Sequence, residues 1–190
     1  MSRHSIVSSD SEELILVDAD DRETGYLSKA HCHDGRGVLH RAFSLFIFNG
    51  NGELLLQQRA ADKRLWPLYW SNSCCSHPRR GEQMAVATGR RLQQELGIRA
   101  RLEFVYKFTY QASFGSIGSE HELCSVFLGR TDDEIQANDN EIAAVRFVAP
   151  PALTQDMAVH ADRYTPWFRL EWQRLASDFA SRLGAYCQLT

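Results

Sequence analysis

Residues 76–98 read SHPRRGEQMAVATGRRLQQELGI, the segment of the chain that most strongly predicts a helix. Small or apolar side chains recur in it at near-helical spacing, at Ala85, Thr88, Leu92 and Leu96. Gly97 follows as a helix stop signal. We therefore predict a helix over residues 82–96. Because strand-like segments lie on both sides of it, the order of elements favours an α+β fold over regular βαβ winding.

The segments around this helix predict strands. They cover residues 14–18, 42–48, 53–58, 102–110, 120–130 and 141–148. Asn49-Gly50-Asn51-Gly52 is a strong hairpin signal, since Asn-Gly tolerates the positive φ of a tight turn. A turn is expected over residues 18–26, the end of a strand at Pro150-Pro151, and helix again from about Pro166. We predict an α+β helix–sheet sandwich with mixed sheets and flanking helices.

The length and composition of the chain indicate how many domains it forms, and its net charge indicates which classes of partner it binds. The chain has 190 residues, 44% of them hydrophobic and 24% charged, which suits one globular domain. We place a flexible tail at residues 1–11 and a single domain at residues 12–190. The net charge of −3 gives no basic surplus, which argues against a nucleic-acid partner, so an anionic ligand needs a local basic cluster.

The compartment follows from the segments that the sequence lacks. No apolar run reaches the length of a membrane span, and the polar start has no apolar core typical of a secretion signal. The five cysteines are odd in number and irregularly spaced, so they make a poor disulfide framework. We expect a cytoplasmic protein without a membrane partner, whose cysteines remain thiols.

Three clusters carry candidate metal ligands. They are His31-Cys32-His33 with His40, then Cys74-Cys75-Ser76-His77, then Glu120-His121-Glu122. Residues two apart in a strand face the same way, so Glu120 and Glu122 present paired carboxylates while His121 points away. Three imidazoles with two carboxylates suit a divalent ion such as Mn²⁺, Mg²⁺ or Zn²⁺. Singly, each histidine is more often a surface residue, and the paired cysteines are often core residues.

Residues 76–98 resemble a Nudix box with departures. The box reads Gly, five residues, Glu, seven residues, Arg-Glu-apolar, any residue, Glu-Glu, any residue, Gly-apolar. The positions that agree are Glu82, Arg90, Leu92, Glu95, Gly97 and Ile98. Ser76 replaces the first Gly, and Arg91 and Gln94 replace two glutamates. Since Nudix hydrolases use clustered carboxylates to hold the metals that activate water, these losses argue against hydrolysis.

Further segments resemble the type I isopentenyl-diphosphate Δ-isomerases. Residues 71–78 look like the catalytic-cysteine segment of this family, and residues 120–124 like its Glu-x-Glu-x-Cys segment. Fits also occur over residues 25–29, 59–67 and 165–167. The resemblance covers residues 13 to 170. It implies a Nudix-like fold and interconversion of the homoallylic isopentenyl diphosphate with the allylic dimethylallyl diphosphate. One compact domain permits a monomer, and we expect a monomer or weak homodimer.

This resemblance implies a role for each candidate residue. One divalent metal (Mn²⁺, Mg²⁺ or Zn²⁺) would be bound by His33, His40, His77, Glu120 and Glu122. Glu95 would hold a Mg²⁺ ion on the diphosphate. The diphosphate would meet Lys29, Arg59, Lys63 and Arg91, and Trp167 would line the hydrocarbon pocket. Tyr110 would line that pocket too, and Cys75, rather than Cys74, falls on the position of the catalytic thiol. The sequence leaves open whether Cys75 or Glu122 gives the proton to isopentenyl diphosphate, and we expect Glu122 with Tyr110 to do so.

Two other functions stay open at this point. A Nudix hydrolase acting on a nucleoside or sugar diphosphate would release phosphate, which Arg91 and Gln94 disfavour. A non-catalytic zinc module would explain the cysteine and histidine clusters. Structural zinc sites, however, favour four Cys or His ligands in short paired spacings, whereas these ligands span about ninety residues and include two glutamates.

Overall fold

The computed structural model describes residues 6–188 of the chain. Its strands are β1 (Glu13–Val17), β2 (Glu23–Ser28), β3 (His40–Phe48), β4 (Leu54–Arg59), β5 (Trp70–Ser71), β6 (Cys74–Ser76), β7 (Arg101–Phe114), β8 (Gly118–Arg130) and β9 (Ile142–Val148). Its α-helices are α1 (Lys29–Cys32), α2 (Met84–Leu96), α3 (Pro150–Val159), α4 (Pro166–Ser177) and α5 (Ala180–Leu183).

The strands of the described residues join in one mixed sheet with β3 at its centre. β3 pairs in parallel with β8 over its whole length, and antiparallel with β1, β4 and β6 at different points. β7 continues the sheet beyond β8, while β9 and β5 pair with β4 and β2 pairs with β1. This arrangement brings the start of β3, the start of β8 and the end of β6 to neighbouring positions.

Both faces of the sheet are covered, which confirms the predicted sandwich. Side chains alternate along β3, because successive residues of a strand point to opposite faces. Phe43, Leu45 and Ile47 pack with Leu92 and other residues of α2 on one face. The other face carries a larger cluster of β3, β4, β7, β8 and α4 residues, including Phe46, Phe48, Trp167, Phe168, Trp172 and Leu175. Apart from the partly buried Arg41, every residue of β3 is buried, which accounts for its nearly continuous apolar sequence.

The secondary structure contains the short elements α1, β5 and β6, which the sequence did not predict, and it departs from the prediction at two further places. The turn predicted over residues 18–26 is shorter. The Asp18 carboxylate accepts hydrogen bonds from the backbone N–H groups of Asp20 and Arg22, both at 2.9 Å, and strand β2 then begins. Pro150-Pro151 ends β9 but also begins α3, because proline at a first helical position gives up no intrahelical hydrogen bond.

The chain segment before β1 packs against the domain. Of the tail predicted over residues 1–11, residues 1–5 lie outside the described part of the chain. Val7 is buried, and its carbonyl accepts hydrogen bonds from Arg91 at 2.6 Å and Arg79 at 3.4 Å. Separately, none of the helices within residues 6–188 has the length and apolar character needed to cross a bilayer.

Candidate active site

The five predicted metal ligands come together in one centre. The ligand atoms of His33, His40, His77, Glu120 and Glu122 all lie within 4.8 Å of one another. The three imidazole rings are 4.8 to 5.5 Å apart between centroids. The His77 side chain is 11% exposed and the other four side chains are buried. Residues far apart in sequence thus form one compact nitrogen–oxygen donor set.

Strand register explains this convergence. His40 begins β3 and lies opposite Glu122 in the parallel β3–β8 pair. Glu120 and Glu122 are two apart in β8 and face the centre together. His33 directly follows α1, and His77 directly follows β6, which pairs with the other side of β3. The sheet backbone therefore positions His40, Glu120 and Glu122 directly and His77 at the end of β6, while α1 positions His33.

The backbone hydrogen bonds of His33 and His40 leave the Nε2 atoms of these two histidines available. Nδ1 of His33 lies 2.6 Å from the Lys29 carbonyl, and Nδ1 of His40 lies 2.7 Å from the Val38 carbonyl. A carbonyl only accepts, so both Nδ1 atoms are donors and each neutral ring has a lone pair on Nε2. Such backbone contacts fix the tautomer of metal-binding histidines.

Among the described residues, two buried atoms of the centre lack a hydrogen-bond partner: Nε2 of His40 and Oε2 of Glu120. The Glu120 oxygen is 2.7 Å from His33 Nε2, but the geometry is not that of a hydrogen bond. Lone pairs facing each other in a buried space are unfavourable unless a cation lies among them. The donor set therefore fits a divalent metal ion, and the fold supports the metal use that the sequence predicts.

Glu122 links the metal centre to Tyr110. The Tyr110 hydroxyl donates to Glu122 Oε2 at 2.7 Å, while Oε1 lies 2.8 Å from His77 Nε2. Burial and the Glu122 charge raise the pKa of Tyr110 well above its ordinary value. Burial also works against ionisation of Glu122, but His40 and His77 outweigh it and lower the pKa of this carboxyl well below its usual range. The pair is thus a neutral phenol donating to a carboxylate.

The two adjacent cysteines face opposite sides of the sheet. Cys74 is fully buried in the cluster beneath α2, with its thiol 3.4 Å from Glu95 Oε1. Cys75 is half-buried on the other side and lines the same pocket as Glu122 and Tyr110. Burial raises the pKa of the Cys75 thiol to about 12, although the Arg59 charge works in the opposite direction. This placement supports Cys75 as the reactive cysteine.

Basic side chains gather at one end of this pocket. It is lined by the four predicted diphosphate ligands, Lys29, Arg59, Lys63 and Arg91. Glu95 lines it too and holds Arg91 through contacts of 2.6 and 2.8 Å. Within the box, Glu82 pairs with Arg90 at 2.7 Å and does not line the pocket. The protein, although acidic overall, thus presents a local basic cluster.

Aromatic side chains form the apolar end. Trp167 is buried, and its indole N–H donates to the Ser71 hydroxyl at 3.1 Å. Its ring is 6.2 Å from the ring of Tyr110 and 5.2 Å from the ring of Trp66. The Arg59 guanidinium lies 5.4 Å from the Trp167 centroid, which places the apolar end directly beside the basic end.

The pocket collects the predicted site residues together with others that sequence reasoning missed. His40 is fully buried beneath the pocket and joins it through the metal centre. The pocket residues without a predicted role are Ser8, Gln57, Ser76 and Glu141. Glu141 stands outside every recognisable motif, and only the packing of its loop brings it to Lys63 and Arg91. No sequence motif therefore marks Glu141 as a pocket residue.

Comparison with known proteins agrees with this fold. The NUDIX domain family model matches residues 38–168. Among solved structures, a Deinococcus radiodurans protein superposes with a TM-score of 0.64 and 22% identity, covering 78% of this chain and 90% of that one. A Nudix hydrolase from M. smegmatis superposes with a TM-score of 0.53 and 18% identity, covering 88% and 94%. The chain is a Nudix-domain protein.

Similarity to curated proteins is closer. An isopentenyl-diphosphate Delta-isomerase of Photorhabdus laumondii is 41% identical over 174 residues, covering 90% of this chain and 99% of that protein. One of Serratia proteamaculans is 44% identical over 157 residues, covering 83% and 87%. The chain therefore belongs to the isopentenyl-diphosphate Delta-isomerase family, and the family predicted from the sequence is confirmed.

Proposed function

We propose that this protein interconverts isopentenyl diphosphate and dimethylallyl diphosphate. The observation that carries the proposal is the meeting of Cys75 with the Glu122–Tyr110 pair in one pocket lined by Trp167. Cys75 comes from β6 and Glu122 from β8, the strands that pair with opposite edges of β3. A thiol and a carboxylate–phenol pair therefore approach the pocket from different strands.

The proposed reaction needs two proton-transfer groups. The substrate alkene is unactivated, so protonation at its terminal carbon gives a tertiary carbocation. Loss of a proton from the neighbouring methylene then gives the allylic isomer. An acid and a base must lie within hydrogen-bond reach of these carbons. We assign proton donation to Glu122 with Tyr110 and proton removal to the thiolate form of Cys75, with the roles exchanged in the reverse direction. The Arg59 charge, which opposes the effect of burial on the pKa of this thiol, favours the thiolate.

The surroundings support a short-lived carbocation. The face of Trp167 can stabilise positive charge by a cation–π contact. Trp66 packs edge-on against this ring, and Phe108 stacks on Tyr110 at 5.5 Å. These aromatic side chains exclude water, which would otherwise trap the cation as an alcohol.

The basic end fits the diphosphate. Arginine and lysine side chains form charge-assisted hydrogen bonds with phosphate oxygens, and Lys29, Arg59, Lys63 and Arg91 supply them here. We propose that Glu95 holds Mg²⁺ on the bound diphosphate, as carboxylates commonly do. We propose Mn²⁺, Mg²⁺ or Zn²⁺ for the His/Glu centre. Bound there, such an ion would polarise its ligands and help to set the protonation of Glu122.

The proposed working state is a single chain, or a weak homodimer, in the cytoplasm. A catalytic thiol must remain reduced, and thiol-reducing systems maintain that state in the cytosol. The five cysteines are free thiols in the structure.

One incubation tests this function against hydrolysis. Purified, metal-reconstituted protein is incubated with isopentenyl diphosphate and Mg²⁺, and dimethylallyl diphosphate and free phosphate are both followed. We expect the allylic diphosphate without phosphate. Phosphate without the allylic product would support a Nudix hydrolase instead. Hydrolysis is disfavoured because Arg91 occupies a carboxylate position of the box and is bound between Glu95 and Glu141.

A further inference from the structure

Glu141 is a buried carboxylate at the basic end of the pocket to which no role has been given. Its side chain is 6% exposed, and it precedes β9 directly. Its Oε2 atom accepts from Lys63 Nζ at 2.5 Å and from an Arg91 nitrogen at 3.2 Å. Two of the four proposed diphosphate ligands are thus already engaged by this one carboxylate.

Glu141 and Glu95 share the same guanidinium. One terminal nitrogen of Arg91 lies 2.6 Å from Glu95 Oε1 and 3.2 Å from Glu141 Oε2. Both carboxylates also line the pocket. The guanidinium therefore lies between two anionic groups, and one of them is the proposed Mg²⁺ ligand.

The backbone holds Glu141 in this position. The Glu141 N–H donates to the Asn138 carbonyl at 2.9 Å, and the Glu141 carbonyl accepts from Ala60 N–H at 3.0 Å. The Asn138 N–H in turn donates to the Glu95 carbonyl at 2.8 Å. The loop is thus fastened both to the segment after β4 and to the end of α2. Its charge has a fixed place, unlike that of a mobile surface glutamate.

The charges at the basic end are unequal. Lys29, Arg59, Lys63 and Arg91 face two carboxylates, which leaves a surplus of at most two positive charges, because burial and the Lys63 charge lower the pKa of Lys29. The carboxylates Glu120 and Glu122 are matched by the divalent ion of their own centre under the proposed function. Burial opposes ionisation of Glu141, but Lys63 and Arg91 outweigh it, so the pKa of this carboxyl is lowered.

This balance distinguishes two forms of a diphosphate. A bare diphosphate must compete with Glu141 for the N–H groups of Lys63 and Arg91, and it also meets two carboxylates. A diphosphate carrying Mg²⁺ brings two compensating positive charges, and Mg²⁺ favours carboxylate and phosphate oxygens. We propose that Glu141 is a specificity-determining residue, which makes this site take its diphosphate as the Mg²⁺ complex in preference to the bare anion. The inference rests on the diphosphate site of the proposed function.

The test uses inorganic pyrophosphate as the probe. Metal-reconstituted protein is dialysed free of unbound metal, and pyrophosphate binding is measured by calorimetry with and without added Mg²⁺. For the unmodified protein we expect Mg²⁺ to tighten binding. In Glu141→Gln we expect the bare anion to bind about tenfold more tightly and the Mg²⁺ effect to shrink by a similar factor, since a buried charge near the ligand is removed. Glu134→Gln is the matched control, because Glu134 is an exposed residue of the same connecting segment. It should leave both affinities unchanged.

The outcomes separate this inference from the proposed function. An unchanged ratio of the two affinities in folded Glu141→Gln overturns the role of Glu141 while leaving the diphosphate site intact. Absence of pyrophosphate binding by the unmodified protein overturns the diphosphate site and this inference with it. If Glu141→Gln does not fold, Lys63→Gln is compared with the Lys63→Gln/Glu141→Gln double variant, in which no lysine is left unpaired. The double variant should again bind bare pyrophosphate more tightly than its parent, and equal affinities overturn the proposal.

Discussion

At the residue scale, the adjacent cysteines have separate environments and should respond differently to truncation. We predict that Cys75→Ala lowers the isomerisation rate by at least about a thousandfold, because it removes a proton-transfer group. Cys74→Ala should keep turnover within about tenfold and instead lower stability by about 1 kcal/mol, because a buried side chain loses packing and a hydrogen bond. Rate assays and thermal unfolding of both variants measure this. Equal activity of the two variants would contradict the assignment.

Glu122 and Tyr110 form the other half of the reaction centre. We predict that Glu122→Gln is folded but inactive, since a metal ligand and the proton-transfer carboxylate are lost together. Tyr110→Phe should lower kcat by about a hundredfold with little change in KM, because it removes a proton donor and keeps the ring. Steady-state kinetics measures kcat and KM of both variants, and circular dichroism shows whether they are folded. A larger effect on KM than on kcat in Tyr110→Phe would assign the tyrosine to binding.

The site residues were predictable from the sequence wherever they belonged to a motif. The clusters around His33, Cys75 and Glu122 stood out in the sequence because unusual residue types occurred together. Glu141 could not be found in this way, since a single glutamate in a polar loop has no pattern. Its place depends on backbone hydrogen bonds that join three separate segments.

At the element scale, β8 depends on a glycine for its close approach to the metal centre. A Cβ atom at Gly118 would lie 2.3 Å from the His33 carbonyl oxygen, the acceptor of the Ser119 N–H bond. We predict that Gly118→Ala weakens metal affinity by at least about tenfold, because His33 must move with its backbone. Metal titration of the purified variant measures this. Gly89→Ala is the control, since its Cβ meets no atom within 4 Å and an exposed helical position of α2 favours alanine.

Helix α4 carries a buried glutamate, Glu171, whose ionisation should make the stability of the fold depend on pH. Glu171 is fully buried, and burial raises its pKa to about 8, although the Cys124 thiol and the Ser44 hydroxyl oppose the shift. The folded state therefore holds a proton that the unfolded state releases above its ordinary pKa near 4.5. This contribution to stability is complete below the unfolded pKa and is lost as pH rises towards 8.

We predict that Glu171→Gln removes this dependence. The variant and the unmodified protein should have similar free energies of unfolding at pH 5. By pH 8 the variant should be more stable by on the order of 3 kcal/mol. Urea unfolding of both proteins across this range measures the difference, and titrations common to both proteins cancel. A gap that stays constant with pH would show that Glu171 keeps its charge state.

For the whole molecule, the periodicity of apolar residues predicted the helix and sheet layers better than it predicted the short strands. The apolar run of β3 and the helical spacing of α2 predicted a helix packed on a buried sheet. The short strands β5 and β6 have two and three residues and left no periodic signal, although β6 carries Cys75. The parallel register of β3 with β8 also joins segments about eighty residues apart, which local patterns do not report.

That long-range pairing makes metal occupancy a property of the whole molecule. The ligands lie in β3 and β8 and directly after α1 and β6, so an ion bound to the folded chain and not to the unfolded one must stabilise the entire domain. Free metal at a thousandfold excess over its Kd contributes about 4 kcal/mol. At 2–4 °C per kcal/mol for a domain of this size, removal of the metal should lower Tm by roughly 10 °C.

We therefore predict that a chelator abolishes turnover and lowers Tm, that Mn²⁺ or Zn²⁺ restores both, and that elemental analysis finds one tightly held ion per chain. His33→Gln should lose the metal-dependent rise in Tm, because it lacks an Nε2 ligand at a buried position. His121→Gln is the matched control, since His121 alternates with Glu120 and Glu122 in β8 and points away from the centre. A metal response that survives in His33→Gln or disappears in His121→Gln would place the ion somewhere other than this centre.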